Sequence, residues 1–136
     1  MDAVNQALYE AAQKVRKKAH VPYSRFPVGA AILADDGNVY AGCNVENAAY
    51  PLGACAEGSA ISAMVAGGGT RIHRIFVIGD GDKPVTPCGG CRQRIREFAG
   101  ADTVIFCAGD DGEPVKYTMN EILPDSFGPE FLEDKS

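Results

Sequence analysis

Between residues 2 and 18, Val4, Leu8, Ala11, Ala12 and Val15 recur three or four positions apart among polar neighbours. This spacing gathers them on one side of a helix and predicts an amphipathic α-helix over that stretch. Pro22 and Pro27 in "VPYSRFP" break the pattern, because proline lacks an N–H and fixes φ. Two short apolar runs, "VGAAILA" and "NVYAGCNV", flank "DDG" and predict a strand–turn–strand hairpin. "CAEGSAISAMVAGGG" reads as a second helix, ended by its glycines. "HRIFVIGD" is short and nearly all apolar, as in strands buried on both faces.

A third helix is predicted from "TPCGGCRQRIREF", with Thr86 as its cap and Pro87 at its first position. "TVIFCAG" predicts another buried strand, "DDGE" a turn and "PVKY" a short edge strand. Thr118 and Glu121 have the spacing of a capping box opening a last short helix that Pro124 stops. The order implies an α/β protein with a mixed sheet of roughly five strands and helices on both faces.

At 136 residues and 46% hydrophobic, the chain predicts one domain, 1–136, able to bury a core without disulfides. No segment approaches the roughly 20 apolar residues of a membrane span. The first residues lack the apolar centre of a signal peptide, so a cytoplasmic protein without a membrane partner is expected. The formal charge of −5 disfavours a nucleic-acid polymer as partner. The one basic cluster, "KVRKKAH", falls at the end of the first helix, where cations suit the dipole. A small or neutral ligand fits better.

The five cysteines, Cys43, Cys55, Cys88, Cys91 and Cys107, are an odd count that argues for metal or catalytic use over a disulfide framework. On the third helix, Cys88, Cys91, Ile95 and Phe98 share a face, with Arg92, Arg94 and Arg96 mostly elsewhere. A Cys-x-x-Cys pair can be a redox dithiol, but that motif follows the first strand of a βαβ unit, and here it comes late. Cys55 adds a third thiolate at another helix start. Catalytic zinc keeps one of four positions open, whereas structural zinc fills all four from the protein. A fourth protein ligand would come from Cys43, Cys107, His20 or His73, none of them in a second short-spaced pair. His20 and His73 are read as surface residues, Cys43 and Cys107 as packed ones.

Glu57 stands two positions after Cys55. Mid-helix, such residues diverge by about 200°; at an exposed first turn, both can approach an ion beyond the helix end. There the carboxylate can shuttle the proton of a water whose pKa zinc lowers to about 7. This is the arrangement of zinc-dependent base deaminases, including their all-cysteine form.

"CAE", "PCGGCRQ", "PYSRFPVGAA", "GCNVENAAYPLG" and "LPDSFGP", in that family's order, closely resemble the small cytidine deaminases that act on free nucleosides. The resemblance implies a three-layer α/β/α fold and one Zn²⁺ per subunit on Cys55, Cys88 and Cys91. It also implies hydrolysis of cytidine and deoxycytidine to uridine and deoxyuridine plus ammonia, in pyrimidine salvage, with Glu57 as the catalytic acid and base. It places the Ala56 N–H against the pyrimidine O2, the Thr86 carbonyl near the amino group, Phe26 against base and sugar, and Asn44 and Glu46 on the ribose. Taken alone, Asn44 and Glu46 would read as loop caps. Tyr50 and Phe127 resemble residues that approach a neighbouring subunit's site in a homotetramer. The same motifs leave open a deaminase of a blasticidin-type antibiotic.

One departure stands out. Family members often carry arginine after the catalytic glutamate, hydrogen-bonded to the zinc thiolates; this chain has Gly58. Three thiolates on Zn²⁺ leave one net negative charge, which weakens the metal's acidification of water. Arg92, just past Cys91, or helix N–H groups are expected to compensate.

Overall fold

The computed structural model describes residues 1–133. A five-stranded sheet runs in the order β2-β1-β3-β4-β5, from strands β1 (Val28–Ala34), β2 (Val39–Cys43), β3 (Ile72–Gly79), β4 (Ala99–Ala108) and β5 (Val115–Thr118). β1 pairs antiparallel with both β2 and β3, β3 runs parallel to β4, and β4 pairs antiparallel with β5. The sheet is therefore mixed. Helix α1 (Ala3–Arg16) covers one face; α2 (Ala56–Gly67) and α3 (Gly89–Glu97) cover the other, and α4 (Met119–Ile122) lies against β4 and β5.

Alternation along β3 and β4 explains why both sides need cover. Phe76, Ile78, Phe106 and Ala108 pack with Leu8 and Ala12 of α1. Ile75, Val77, Ile105 and Cys107 pack with Ala60 and Met64 of α2 and Ile95 of α3. Successive side chains point to opposite faces, so a run apolar at nearly every position is buried twice over.

Helix α1 begins at Asp2, whose carboxylate accepts the Asn5 N–H at 2.8 Å. Its buried side chains are Asn5, Leu8 and Ala12, while Val4 is exposed. The stripe is rotated from the predicted one because Arg74 donates to the Asn5 side-chain oxygen at 3.1 Å and to Asp2 at 3.0 Å. α2 ends at Gly68, whose φ of 102° lies in the left-handed region that glycine adopts freely. The capping box at Thr118 and Glu121 is present, with both reciprocal hydrogen bonds.

Two boundaries differ from the sequence reading. β4 starts at Ala99 rather than Thr103, because a bulge opposite Ile72–Arg74 keeps the chain paired; the Thr103 hydroxyl donates to the Ile72 carbonyl and accepts from the Gly100 N–H. α3 is capped by Cys88, not Thr86, and Pro87 lies before the helix, fully buried. Among the described residues, no helix is long and apolar enough to cross a membrane.

Candidate zinc site

Helices α2 and α3 start side by side on the same face of the sheet, with Cys55 and Cys88 as their N-cap residues. Neither cap residue bonds its own helix through its side chain, leaving both sulfurs free for another partner. Free N–H groups at the two helix starts favour negative charge there.

The Sγ atoms of Cys55 and Cys91 and a Glu57 carboxylate oxygen lie within 4.8 Å of one another. The two sulfurs meet, although the Cα atoms stand 7.6 Å apart. Disulfides bridge Cα atoms up to about 7 Å apart, so this spacing suits thiolates converging on one ion better than a covalent bridge. Two soft sulfur donors from separate helix N-termini form a donor set that fits zinc. Cys88 stands outside this group, an exposed free thiol one turn before Cys91. The shared face expected for Cys88, Cys91, Ile95 and Phe98 is therefore only partly formed: Cys91 and Ile95 are buried, Phe98 half-buried and Cys88 exposed.

Glu57 is 5% exposed, one of few charged side chains in the interior. Burial raises its carboxyl pKa above the ordinary carboxylate range, opposed by its own backbone N–H and by the positive charge of Arg94. A carboxyl group held this way keeps a proton more readily than an exposed carboxylate does. Behind it, Cys107 is fully buried, and desolvation together with the Glu57 charge pushes its thiol up to about 12. Cys107 is a packed, unreactive thiol, as its strand position implied. Cys43 is half-buried in β2, and His20 and His73 are exposed.

The sequence reading assigned the charge compensation to Arg92 or to helix N–H groups, and the Arg92 guanidinium is engaged away from the sulfurs. Arg92 donates its Nε to the Pro87 carbonyl at 2.8 Å and its Nη1 to the Ile122 carbonyl at 2.9 Å, so it braces the loop before α3. Arg94 instead directs its Nη1 toward Cys91 Sγ at 3.7 Å and Cys55 Sγ at 3.9 Å. It is the site residue that sequence reasoning missed. The usable signals were its place three residues after Cys91 and the glycines at 58 and 90.

A second polar cluster forms a cavity of about 350 Å³ lined by Tyr23, Ser24, Glu46, Asn47, Tyr50 and Gly53. Glu46 accepts from the Tyr23 and Ser24 N–H groups at 3.0 and 3.1 Å and from the Ser24 hydroxyl. Those bonds, the hydroxyl first, hold its pKa below the usual range. Asn44 donates to the Phe26 carbonyl and accepts from the Val28 N–H, each at 2.9 Å. Both residues thus also act as the loop clamps that their bare sequence context suggested. The Tyr23 and Tyr50 ring centroids are 5.6 Å apart, and Tyr50 is 74% exposed. Phe127 stacks on Phe131 at 5.1 Å and stays 54% exposed. Ala56 is buried in the first turn of α2, and Thr86 is exposed just before Pro87.

A mixed α/β/α sheet with thiolates and a buried carboxylate at two adjoining helix starts defines the class of zinc-dependent hydrolytic deaminases. The profile of the cytidine and deoxycytidylate deaminase zinc-binding region matches residues 2–108. A cytidine deaminase of Sporosarcina psychrophila is 41% identical over 127 residues, spanning 93% of each chain. One from Mycobacterium tuberculosis H37Rv is 42% identical over 111 residues, 81% of this chain and 79% of its own. The crystal structure of the Burkholderia pseudomallei cytidine deaminase superposes with a TM-score of 0.85 at 40% identity, covering 93% of this chain and 100% of that one. The chain belongs to the cytidine and deoxycytidylate deaminase family and is a zinc-binding hydrolase.

Proposed function

We propose that this protein deaminates cytidine and deoxycytidine, adding water at C4 of the pyrimidine and releasing ammonia to leave uridine or deoxyuridine. The observation that carries this reading is the buried Glu57 carboxylate within 4.8 Å of two cysteine sulfurs on separate helix N-termini. Cys55, Cys88 and Cys91 would hold the zinc, with the exposed Cys88 thiol as the third sulfur donor. Bound zinc supplies Lewis acidity that brings a water to a pKa of about 7.

Glu57 takes one proton of the attacking water and delivers it to ring N3. It then takes the second from the new C4 hydroxyl and passes it to the departing amino group, so that ammonia leaves as the C4 carbonyl forms. Its raised pKa suits a group that must hold and give up a proton in one cycle. The Ala56 N–H, free at the start of α2, orients the pyrimidine O2, and the Thr86 carbonyl accepts from the amino group. Phe26 packs on the base. Glu46 and Asn44 bind ribose hydroxyls through acceptor capacity beyond their loop bonds.

Residues 1–136 work as one domain within a cytoplasmic homotetramer serving pyrimidine salvage. Tyr50, exposed at the Glu46 cavity, and Phe127, exposed and stacked on Phe131, complete sites on neighbouring subunits. Loss of cytidine absorbance with purified zinc-loaded protein tests the reading, with deoxycytidine and blasticidin S assayed in parallel. Turnover of the antibiotic alone would overturn it.

A further inference from the structure

Arg94 lies on α3, yet its guanidinium sits back over the first turn of that helix, beside the Cys91 and Cys55 sulfurs. Helical side chains lean toward the N-terminus and reach residues three and four positions earlier. A cation at a helix N-terminus is disfavoured by the dipole, so something negative must hold this one. No carboxylate among the described residues forms an ion pair with Arg94. The sulfurs are the groups it meets.

The path to them is cleared by glycines on two helices. A Cβ at Gly58 would sit 3.4 Å from Cys55 Sγ, 3.6 Å from Arg94 Cδ and 3.8 Å from Arg94 Nε. A Cβ at Gly90 would lie 3.3 Å from Arg94 Nη1. Alanine fits at 58, but any longer side chain would compete with Arg94 for the same slot.

We propose that Arg94 is the positioning cation of the zinc site: it crosses from α3 through a slot between Gly58 and Gly90 and draws negative charge off the Cys55 and Cys91 thiolates. This rests on the zinc-site reading and adds to it the source of the compensating charge. Gly58 is then the space that lets the charge come from α3. With less charge on the sulfurs, the metal keeps more of its Lewis acidity.

Cobalt substitution reads this directly. Co²⁺-loaded wild type, Arg94→Gln, Arg94→Lys and Arg92→Gln are compared by their sulfur-to-cobalt charge-transfer absorption, with turnover of the zinc forms beside it. In Arg94→Gln the band moves to longer wavelength, because the sulfurs become better electron donors, and kcat falls roughly 10- to 100-fold. Arg94→Lys, which keeps the charge, falls between wild type and Arg94→Gln, and Arg92→Gln leaves the band in place. An unmoved band in Arg94→Gln at full cobalt loading, or a shift in Arg92→Gln alone, overturns the proposal. If Arg94→Gln does not fold, a band in Arg94→Lys identical to wild type also overturns it, since a shorter, non-planar cation cannot reproduce both contacts. A wild-type protein that binds neither zinc nor cobalt would refute the zinc site itself, a separate result.

Discussion

Asn44 holds Phe26 in place with one amide: Nδ2 donates to the Phe26 carbonyl and Oδ1 accepts from the Val28 N–H, both at 2.9 Å. The strand leaving the hairpin thereby fixes the loop that enters it, beside the Glu46 cavity. Asn44→Leu strands a donor and an acceptor, and leaving such a group unpaired costs about 1–3 kcal/mol when it is buried. Asn44 is half-buried, so the lower end applies. Thermal melting should fall by several degrees, and KM for cytidine should rise more than kcat falls. An unchanged KM would reduce Asn44 to a scaffold role.

Gly42 is where α2 rests on β2. A Cβ there would lie 2.4 Å from the Ala60 N and 2.7 Å from the Ser59 carbonyl carbon, both backbone atoms that cannot swing away. Gly42→Ala should therefore lift the helix that carries Glu57. Overpacking of this kind costs roughly 1–3 kcal/mol, measurable as a lower urea midpoint together with reduced zinc content after dialysis. Gly89→Ala is the control: open space surrounds that position, and its midpoint should not fall.

Asp35 ties the hairpin to the turn after α2. Its carboxylate accepts from the Thr70 hydroxyl and from the Thr70 and Arg71 N–H groups, and these bonds, the hydroxyl first, lower its pKa to about 2 from 3.8. A depressed acid stabilises the fold above its unfolded pKa and loses that contribution as pH falls through the folded one. Wild type should be more stable than Asp35→Ala at pH 5, with the gap narrowing below about pH 4 and levelling off near pH 2. A gap independent of pH would mean that the charged form is not what matters.

Phe127 offers a test of subunit sharing. Its ring is exposed and stacked on Phe131, while the Gln93 side chain donates to its carbonyl at 2.8 Å. Mixed oligomers of Glu57→Gln and Phe127→Ala protomers should show more activity than either parent, because some sites regain both groups. No recovery in verified mixed assemblies would confine Phe127 to its own subunit.

Much of this was legible in the sequence because the decisive patterns are short-range. β3 reads as doubly buried from its apolar run, and Cys55-Ala-Glu57 locates the carboxylate beside a thiolate. What escaped depends on long side chains and distant partners. The α1 stripe rotates because Arg74, remote in sequence, recruits Asn5. The early start of β4 is fixed by Thr103 bonding Ile72 across a bulge. Arg92 is nearer to Cys91 in sequence, yet the direction in which helical side chains lean sends Arg94 to the sulfurs. Residue spacing gives a face; it does not give the reach of a guanidinium.

Glu57→Gln tests the central chemistry most directly, since it keeps the shape and burial of the side chain while removing its ability to carry a proton. Single-turnover cytidine hydrolysis should slow by about 10²- to 10⁴-fold, the usual contribution of a positioned acid–base group, with zinc content equal to wild type. A variant that retains wild-type turnover at full zinc occupancy would contradict Glu57 as the proton carrier.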